Sequence, residues 1–256
     1  MRPQLIIAAL THPGKVRSHN EDFVLADAAG GFAVLADGMG GHNAGEVASR
    51  MAVELVSEGL ARQADAGAAS DAPRAEASLA ETLALANVAL LQASRSKPEY
   101  DGMGTTLVAV LWHADGVTVG HVGDSRLYVL RHGELRQLTR DHSIVQEQVE
   151  CGALSAEDAR YAPNRNVLTR AVGIDADAKA DVYTSQVETG DIYLLCSDGL
   201  TDMLTDDDVR ETLLSSRADV GAAAERLVER ANQSGGLDNI SVIVARVLPA
   251  VAERVA

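Results

Sequence analysis

Apolar residues along this chain fall into short runs and helical stripes, and several of the runs end on an acid. Residues 5–10 form one run of strand length, and 31–36 form a second that drives straight into Asp37. From Ala44 the spacing changes: Val47, Met51, Val53, Leu55 and Leu60 recur at three to four and predict an amphipathic helix. Residues 61–73 are rich in Ala, Asp and Gly without an apolar period, and read as a flexible connection. Leu79, Leu83, Ala86, Leu90 and Leu91 predict a second helix that ends before Pro98.

Residues 105–112 and 117–122 have strand patterns, the latter closed by Gly123-Asp124. Residues 127–130 follow, and Arg131-His132-Gly133-Glu134 reads as a hairpin turn into 135–138. Strands in immediate succession predict a meander with antiparallel pairing. From Asp141 to Gly173 the strand pattern breaks. A short helix is expected over 143–150, Ser155 and Asp158 have capping-box form, and Asn164-Arg165-Asn166-Val167-Leu168-Thr169-Arg170 is basic. This stretch, about 141–173, reads as an inserted flap. Its arginines either meet an anionic substrate or pair with surface carboxylates. Strands resume over 182–187 and 192–196. Thr205 caps a helix over 206–215 whose first-turn acids suit the helix dipole, a further helix covers 219–232, and the last strand is 240–247.

Composition narrows the function classes. The chain has 256 residues, 46% hydrophobic but only 3% aromatic, so its core must be built from Val, Leu, Ile and Ala. The net charge of −15 argues against nucleic acid as a partner, because phosphate backbones call for a basic surface. An acidic chain still binds phosphate where divalent cations mediate the contact. Cys151 and Cys196 form no CxxC pair, which argues against a disulfide framework or a zinc site. The N-terminal apolar run is too short for a signal peptide, and no run approaches the roughly 20 residues of a membrane span. A soluble, cytoplasmic, monomeric protein with no membrane partner is expected.

The chemistry lies in the acids at the ends of apolar runs or in adjacent turns: Glu21, Asp22, Asp37, Asp124, Asp198 and Asp238. Four of them lie beside or near glycine, as Asp37-Gly38, Gly123-Asp124, Asp198-Gly199 and Gly236-Leu237-Asp238. A carboxylate at a buried strand end is costly unless compensated. Carboxylates without matching His or Cys suit hard cations such as Mg²⁺ or Mn²⁺. Two such ions activate a water and neutralise a phosphoryl group. Arg17, four residues before Glu21, is placed to grip phosphate oxygens. The residues thus lead to a dinuclear metal phosphohydrolase.

Seven motifs then occur in the order of one family: Val16-Arg17-Ser18-His19-Asn20-Glu21-Asp22, Ala36-Asp37-Gly38-Met39-Gly40-Gly41, Gly102-Met103-Gly104-Thr105-Thr106, Val122-Gly123-Asp124-Ser125-Arg126, Leu138-Thr139-Arg140-Asp141-His142-Ser143, Ser197-Asp198-Gly199-Leu200 and Asp238-Asn239-Ile240-Ser241. The set resembles the bacterial PP2C (PPM) protein serine/threonine phosphatases. The resemblance implies an α+β fold, an α-β-β-α sandwich of two central, mostly antiparallel sheets flanked by helix pairs. It implies one domain over 1–248 with a tail at 249–256. By position, Asp37 bridges two metals, Glu21 and the Gly38 carbonyl complete one site, and Asp198 and Asp238 complete the other. Asp124 with Asp198 matches a third metal site, Arg17 the phosphate-binding arginine, and Asp22 an outer position acting through water. Animal-type members carry a histidine, proposed as general acid, where this chain has Met39. His42 or a water would take that role instead.

The implied function is hydrolysis of phosphoserine and phosphothreonine in proteins, reversing a bacterial Ser/Thr kinase. A non-catalytic phosphoprotein-binding regulator of the same fold is the competing reading, disfavoured because the ligand set is complete. A nucleotide-binding ATPase is disfavoured because no GxxxxGK[ST] loop is present.

Overall fold

In the computed structural model, the structure describes residues 2–41, 44–65 and 71–249. One sheet contains β1 (Gln4–His12), β7 (Arg126–Arg131), β8 (Glu134–Gln137), β10 (Ile192–Cys196) and β11 (Ile240–Leu248), in the order β1-β11-β10-β7-β8. The other contains β2 (Asp22–Asp27), β3 (Phe32–Met39), β5 (Leu107–His113), β6 (Gly116–Val122) and β9 (Asp181–Ser185) in the order β2-β3-β5-β6-β9, with the short β4 (Gly104–Thr105) paired to β3. Neighbouring strands pair antiparallel throughout. The two chain-distant strands β1 and β11 run side by side over nine residue pairs, from Gln4↔Leu248 to His12↔Ile240.

The side-chain period of two explains how four layers stack. In β5, Val108, Val110 and Trp112 face the other sheet, where they meet Tyr193 and Leu195 of β10 and Ile243 and Ala245 of β11. Leu107, Ala109 and Leu111 of the same strand point the opposite way, onto α1 (Ala44–Asp65) and α2 (Ala72–Ser96). Both faces of β5 are therefore buried, which is why it reads as a continuous apolar run. The rings of Trp112 and Tyr193 meet edge to face across the inter-sheet layer, 5.6 Å apart at 76°. On the far side, α6 (Asp206–Ser215) and α7 (Val220–Gln233) cover the first sheet, with Leu213, Leu227 and Ala231 against Leu194, Val242 and Val244.

The helix signals behave as their residue types dictate. Thr205 accepts from the Asp208 N–H while Asp208 accepts from the Thr205 N–H, a complete capping box. Ser143 caps α3 (Ile144–Glu150), and Ser155 caps the four-residue α4 (Ala156–Ala159). Cys196 is buried and Cys151 exposed, and both are free thiols. Two expectations are corrected. The first helix continues to Asp65, so the connection is shorter than 61–73, and 66–70 lie outside the described residues. The central strands do not form one meander: β6 pairs with β5 and β9, whereas β7 pairs with β8 and β10. The chain changes sheets at Gly123–Ser125. Asp198 follows β10, as its place after the apolar run predicts, and opens the short α5 (Asp198–Thr201). Of the tail at 249–256, all but Pro249 lies outside the described residues.

Candidate active site

Sheet changes concentrate acids at one end of the sandwich. The 13–21 segment carries the chain from β1 in the first sheet to β2 in the second, and Gly123–Ser125 carries it back. The first crossing holds Arg17 and Glu21, and the second holds Asp124. Asp37 lies near the end of β3, directly opposite Asp22 of β2. Asp198 follows β10, and Asp238 precedes β11. Arg17, Glu21, Asp37, Gly38, Asp124, Asp198 and Asp238 all line one cleft of about 610 Å³.

Backbone hydrogen bonds fix Asp37, and tight glycine packing and a side-chain bond fix the segments around it. The Asp37 carbonyl accepts from the Thr106 N–H at 2.8 Å and from Thr105 Oγ1 at 2.8 Å, while the Asp37 N–H donates to Thr106 Oγ1 at 3.0 Å. Gly38 is required by space: a Cβ there would lie 2.0 Å from the Gly45 carbonyl oxygen, at the start of α1. Gly199 is equally tight, since its Cβ would meet the Asn239 carbonyl at 1.9 Å. This contact presses the Asp198 and Asp238 segments together. Ser197 donates to Asp22 Oδ2 at 2.8 Å, tying the buried Asp22 to the Asp198 turn.

Three positioning residues lack a periodic signal in the sequence. Asn239 accepts from the Glu21 N–H at 2.8 Å and donates to the carbonyls of Pro13 and His19. It fastens the Arg17–Glu21 crossing to Asp238. Ser197 is the second, as above. His142 is the third: its Nδ1 accepts from the Gly123 N–H at 3.1 Å, so Nε2 carries the proton and donates to Asp181 Oδ2 at 3.1 Å. The His142 N–H also donates to the Gly123 carbonyl at 2.8 Å, so the Asp124 turn is clamped from both sides. Each lies in a quoted motif, which was the available signal.

Electrostatically the cluster is unresolved. Burial, then the charges of Asp22 and Asp198, pushes Asp37 well above the usual carboxylate range. Burial and Asp124 do the same to Asp198. Burial and Asp141 push Asp124 up to about 7, and burial raises Asp22 to about 6 against the hydrogen bonds of Ser241 and Ser197. Burial raises Glu21, with Arg17 opposing. Asp198 Oδ1 and Asp22 Oδ1 are buried without a hydrogen-bond partner. Arg17, which lines the same cleft, is spent on Asp238 at 2.7 Å, an ion pair that raises the arginine's own pKa. As the side chains stand, no three His, Cys, Asp or Glu groups among the described residues form a finished metal cage.

The flap arginines are engaged within the protein, and Arg170 also lines the cleft. Arg170 pairs with Asp181, Arg165 with Asp202, and Arg160 donates to the carbonyls of Thr201 and Leu204. His42 lies outside the described residues.

The protein phosphatase 2C family model matches residues 15–234, from the Arg17 crossing to the end of α7. The chain belongs to the protein phosphatase 2C family. It is 40% identical over 238 residues to the serine/threonine phosphatase stp of Listeria monocytogenes, covering 91% of this chain and 92% of that protein. The serine/threonine phosphatase of S. agalactiae superposes with a TM-score of 0.87 at 34% identity, over 95% of this chain and 99% of the other. The catalytic domain of the phosphatase PstP, solved with two manganese ions, superposes with a TM-score of 0.84 at 38% identity, over 96% of this chain and 99% of that one. The α+β sandwich of two antiparallel sheets is thus the family's fold, and the chain is a protein serine/threonine phosphatase. Among the described residues, no helix is long and apolar enough to cross a membrane.

Proposed function

We propose that the chain hydrolyses phosphoserine and phosphothreonine in proteins with Mn²⁺ or Mg²⁺, opposing a bacterial Ser/Thr kinase as a cytoplasmic monomer. Residues 1–248 act as one catalytic domain, with the flap at 141–173 as its variable part. One observation carries the metal assignment: Asp198 Oδ1 is buried with no hydrogen-bond donor, among carboxylates whose pKa values burial and mutual repulsion have raised. Such a group calls for positive charge that the side chains do not supply. An all-oxygen donor set fits Mn²⁺ or Mg²⁺ and not zinc.

Asp37 would bridge two cations, Glu21 and the Gly38 carbonyl completing one set and Asp198 and Asp238 the other. Asp124 with Asp198 would hold a third. When bound, the cations supply a nucleophilic water at neutral pH and neutralise phosphoryl charge. The remaining work falls to the chain. Arg17, half-exposed on the rim, releases Asp238 and grips the phosphate oxygens. Asp22 orients water beside Asp37. The flap limb closes one side of the cleft against bulk solvent. Water adds to phosphorus, the ester bond to the Ser or Thr oxygen breaks, and that oxygen takes up a proton. Met39 has no proton to give, so the donor is His42 or a water. No comparison favours a non-catalytic regulator.

Phosphate release from a phosphothreonine peptide tests this, with Mn²⁺, Mg²⁺ or EDTA present. EDTA should abolish turnover, and Asp37→Asn and Asp198→Asn should each lower kcat by about 10³-fold or more, on the scale of removing a principal electrostatic element. Activity that survives EDTA, or survives both substitutions, sinks the metal mechanism. Arg17→Ala should mainly raise KM. An unchanged KM with a collapsed kcat would make Arg17 a transition-state group instead.

A further inference from the structure

Among the described residues, two cations line the cleft, Arg17 and Arg170. The catalytic reading uses Arg17 and leaves Arg170 without a task. The backbone of Arg170 is fixed on both sides. The Thr169 N–H donates to the His142 carbonyl at 2.9 Å, and Val172 exchanges two backbone hydrogen bonds with Thr105 at 2.9 and 3.0 Å. Thr105 in turn holds the Asp37 carbonyl. The side chain is fixed as well. Its Nη1 donates to Asp181 Oδ1 at 2.8 Å and to the Lys179 carbonyl at 3.1 Å, and the other oxygen of Asp181 accepts from His142 at 3.1 Å. These contacts occupy one end of the guanidinium only. Among the described residues, Nε and Nη2 make no hydrogen bond, and the side chain is 32% exposed. Nε and Nη2 form the side edge of the fork, which takes a carboxylate with two parallel bonds.

We infer that Arg170 is a specificity-determining residue, whose open edge binds the carboxylate of an acidic residue close to the phosphorylated one in the substrate. This rests on the phosphatase reading of the cleft. A role on the phosphate itself fits less well. The charge of Arg170 acts on His121, His142 and Asp181. At Asp37, Asp124 and Asp198 it is other aspartates that act most, after burial. Arg170 thus stands to one side of the carboxylates that would hold the metals, and the phosphate belongs with the metals and Arg17.

In an extended peptide, side chains two residues apart share a face. With the phosphothreonine directed into the cleft, the residues two before and two after it point the same way, and its immediate neighbours point out. The acid that meets Arg170 is therefore expected two residues from the phosphothreonine, on one side of it. The net charge of −15 repels acidic peptides in general, so the preference has to be confined to that position. A partly exposed ion pair of this kind supports about a fivefold preference.

The test uses phosphothreonine peptides in pairs, with a single Asp or its neutral isostere Asn moved through successive positions on either side of the phosphothreonine. With Mn²⁺, kcat/KM of the parent protein should favour Asp over Asn by about fivefold at one of the positions two residues away, with the difference carried by KM and shrinking as salt is added. In Arg170→Gln the ratio at that position should fall to within about 1.5-fold of unity. Arg170→Lys keeps the charge but not the fork, and should retain part of the preference. Loss of the Asp181 pair by itself would change both members of a peptide pair alike and leave their ratio unmoved, and thermal unfolding measured alongside confirms that the variants fold. No preference for Asp at any position in the parent protein, or a preference that Arg170→Gln retains, would overturn the inference alone. Hydrolysis of none of the peptides, with p-nitrophenyl phosphate also untouched, would take down the phosphatase reading with it.

Discussion

Leu195 and Asp198 stand three residues apart at the end of one strand, yet they occupy opposite physical regimes. Leu195 is fully buried in the layer between the sheets, among Leu35, Val108, Tyr193 and Ile243. Its surroundings are apolar on every side, and the two sheets depend on that layer to stay together. Asp198 is turned into a group of like charges, with one oxygen buried and unpartnered. The first region is optimised for the folded chain as it stands. The second is unfavourable until a cation arrives, which is the expected signature of a site whose ligand supplies the missing interaction.

This contrast separates stability from activity, and the largest effect should appear on the apolar side. Leu195→Ala removes a fully buried side chain from a layer with no space to relax, so unfolding free energy should drop by roughly 3 kcal/mol. Urea unfolding measures this, while kcat per folded molecule should stay within about twofold of the parent. Asp198→Asn should do the reverse in metal-free protein, abolishing turnover without lowering the unfolding midpoint, because it deletes a buried charge that has no partner. A loss of stability in Asp198→Asn as large as that of Leu195→Ala would mean that the acid cluster is structural.

The same contrast explains what the sequence makes legible. Strands such as β5 and β10 announce themselves as apolar runs because both faces are covered, and the helices by their three-to-four spacing and caps. Asp37, Asp124, Asp198 and Asp238 stand out because each lies at the edge of an apolar strand beside or close to glycine. Their chemistry is therefore visible from local pattern, and the family resemblance links them into one set. Partnership between strands is not visible in this way. A period of two fixes which side chains share a face but not which strand lies alongside, so the change of sheet at Gly123 looks like one more meander turn. Asn239, Ser197 and His142 act through hydrogen bonds across 19 to 226 residues of chain, and no local period encodes such contacts.

A smaller, pH-dependent effect sharpens the comparison further. Asp22 and Asp124 are raised to about 6 and about 7, and Asp37 and Asp198 are also raised, all with burial as the first cause. In the unfolded chain these acids titrate near the ordinary value of about 3.9. Between about pH 4.5 and pH 6, the unfolded metal-free chain has therefore released protons that the folded chain still holds. The folded state binds more protons, so stability must fall as pH rises through this window, by about 1.4 kcal/mol per pH unit for each fully contributing group. Acids with lowered pKa, such as Asp181 and Asp208, lose their stabilising effect only as pH falls below it. Saturating Mn²⁺ displaces the protons from the raised acids and should flatten or reverse the slope, and its affinity should itself rise with pH across the same range. Urea midpoints measured across this window, with EDTA and with Mn²⁺, decide the matter. A metal-free protein that grows more stable from about pH 4.5 to pH 6 would show that the acids are already compensated by the chain, and the distinction between Leu195 and Asp198 would then rest on packing and not on charge.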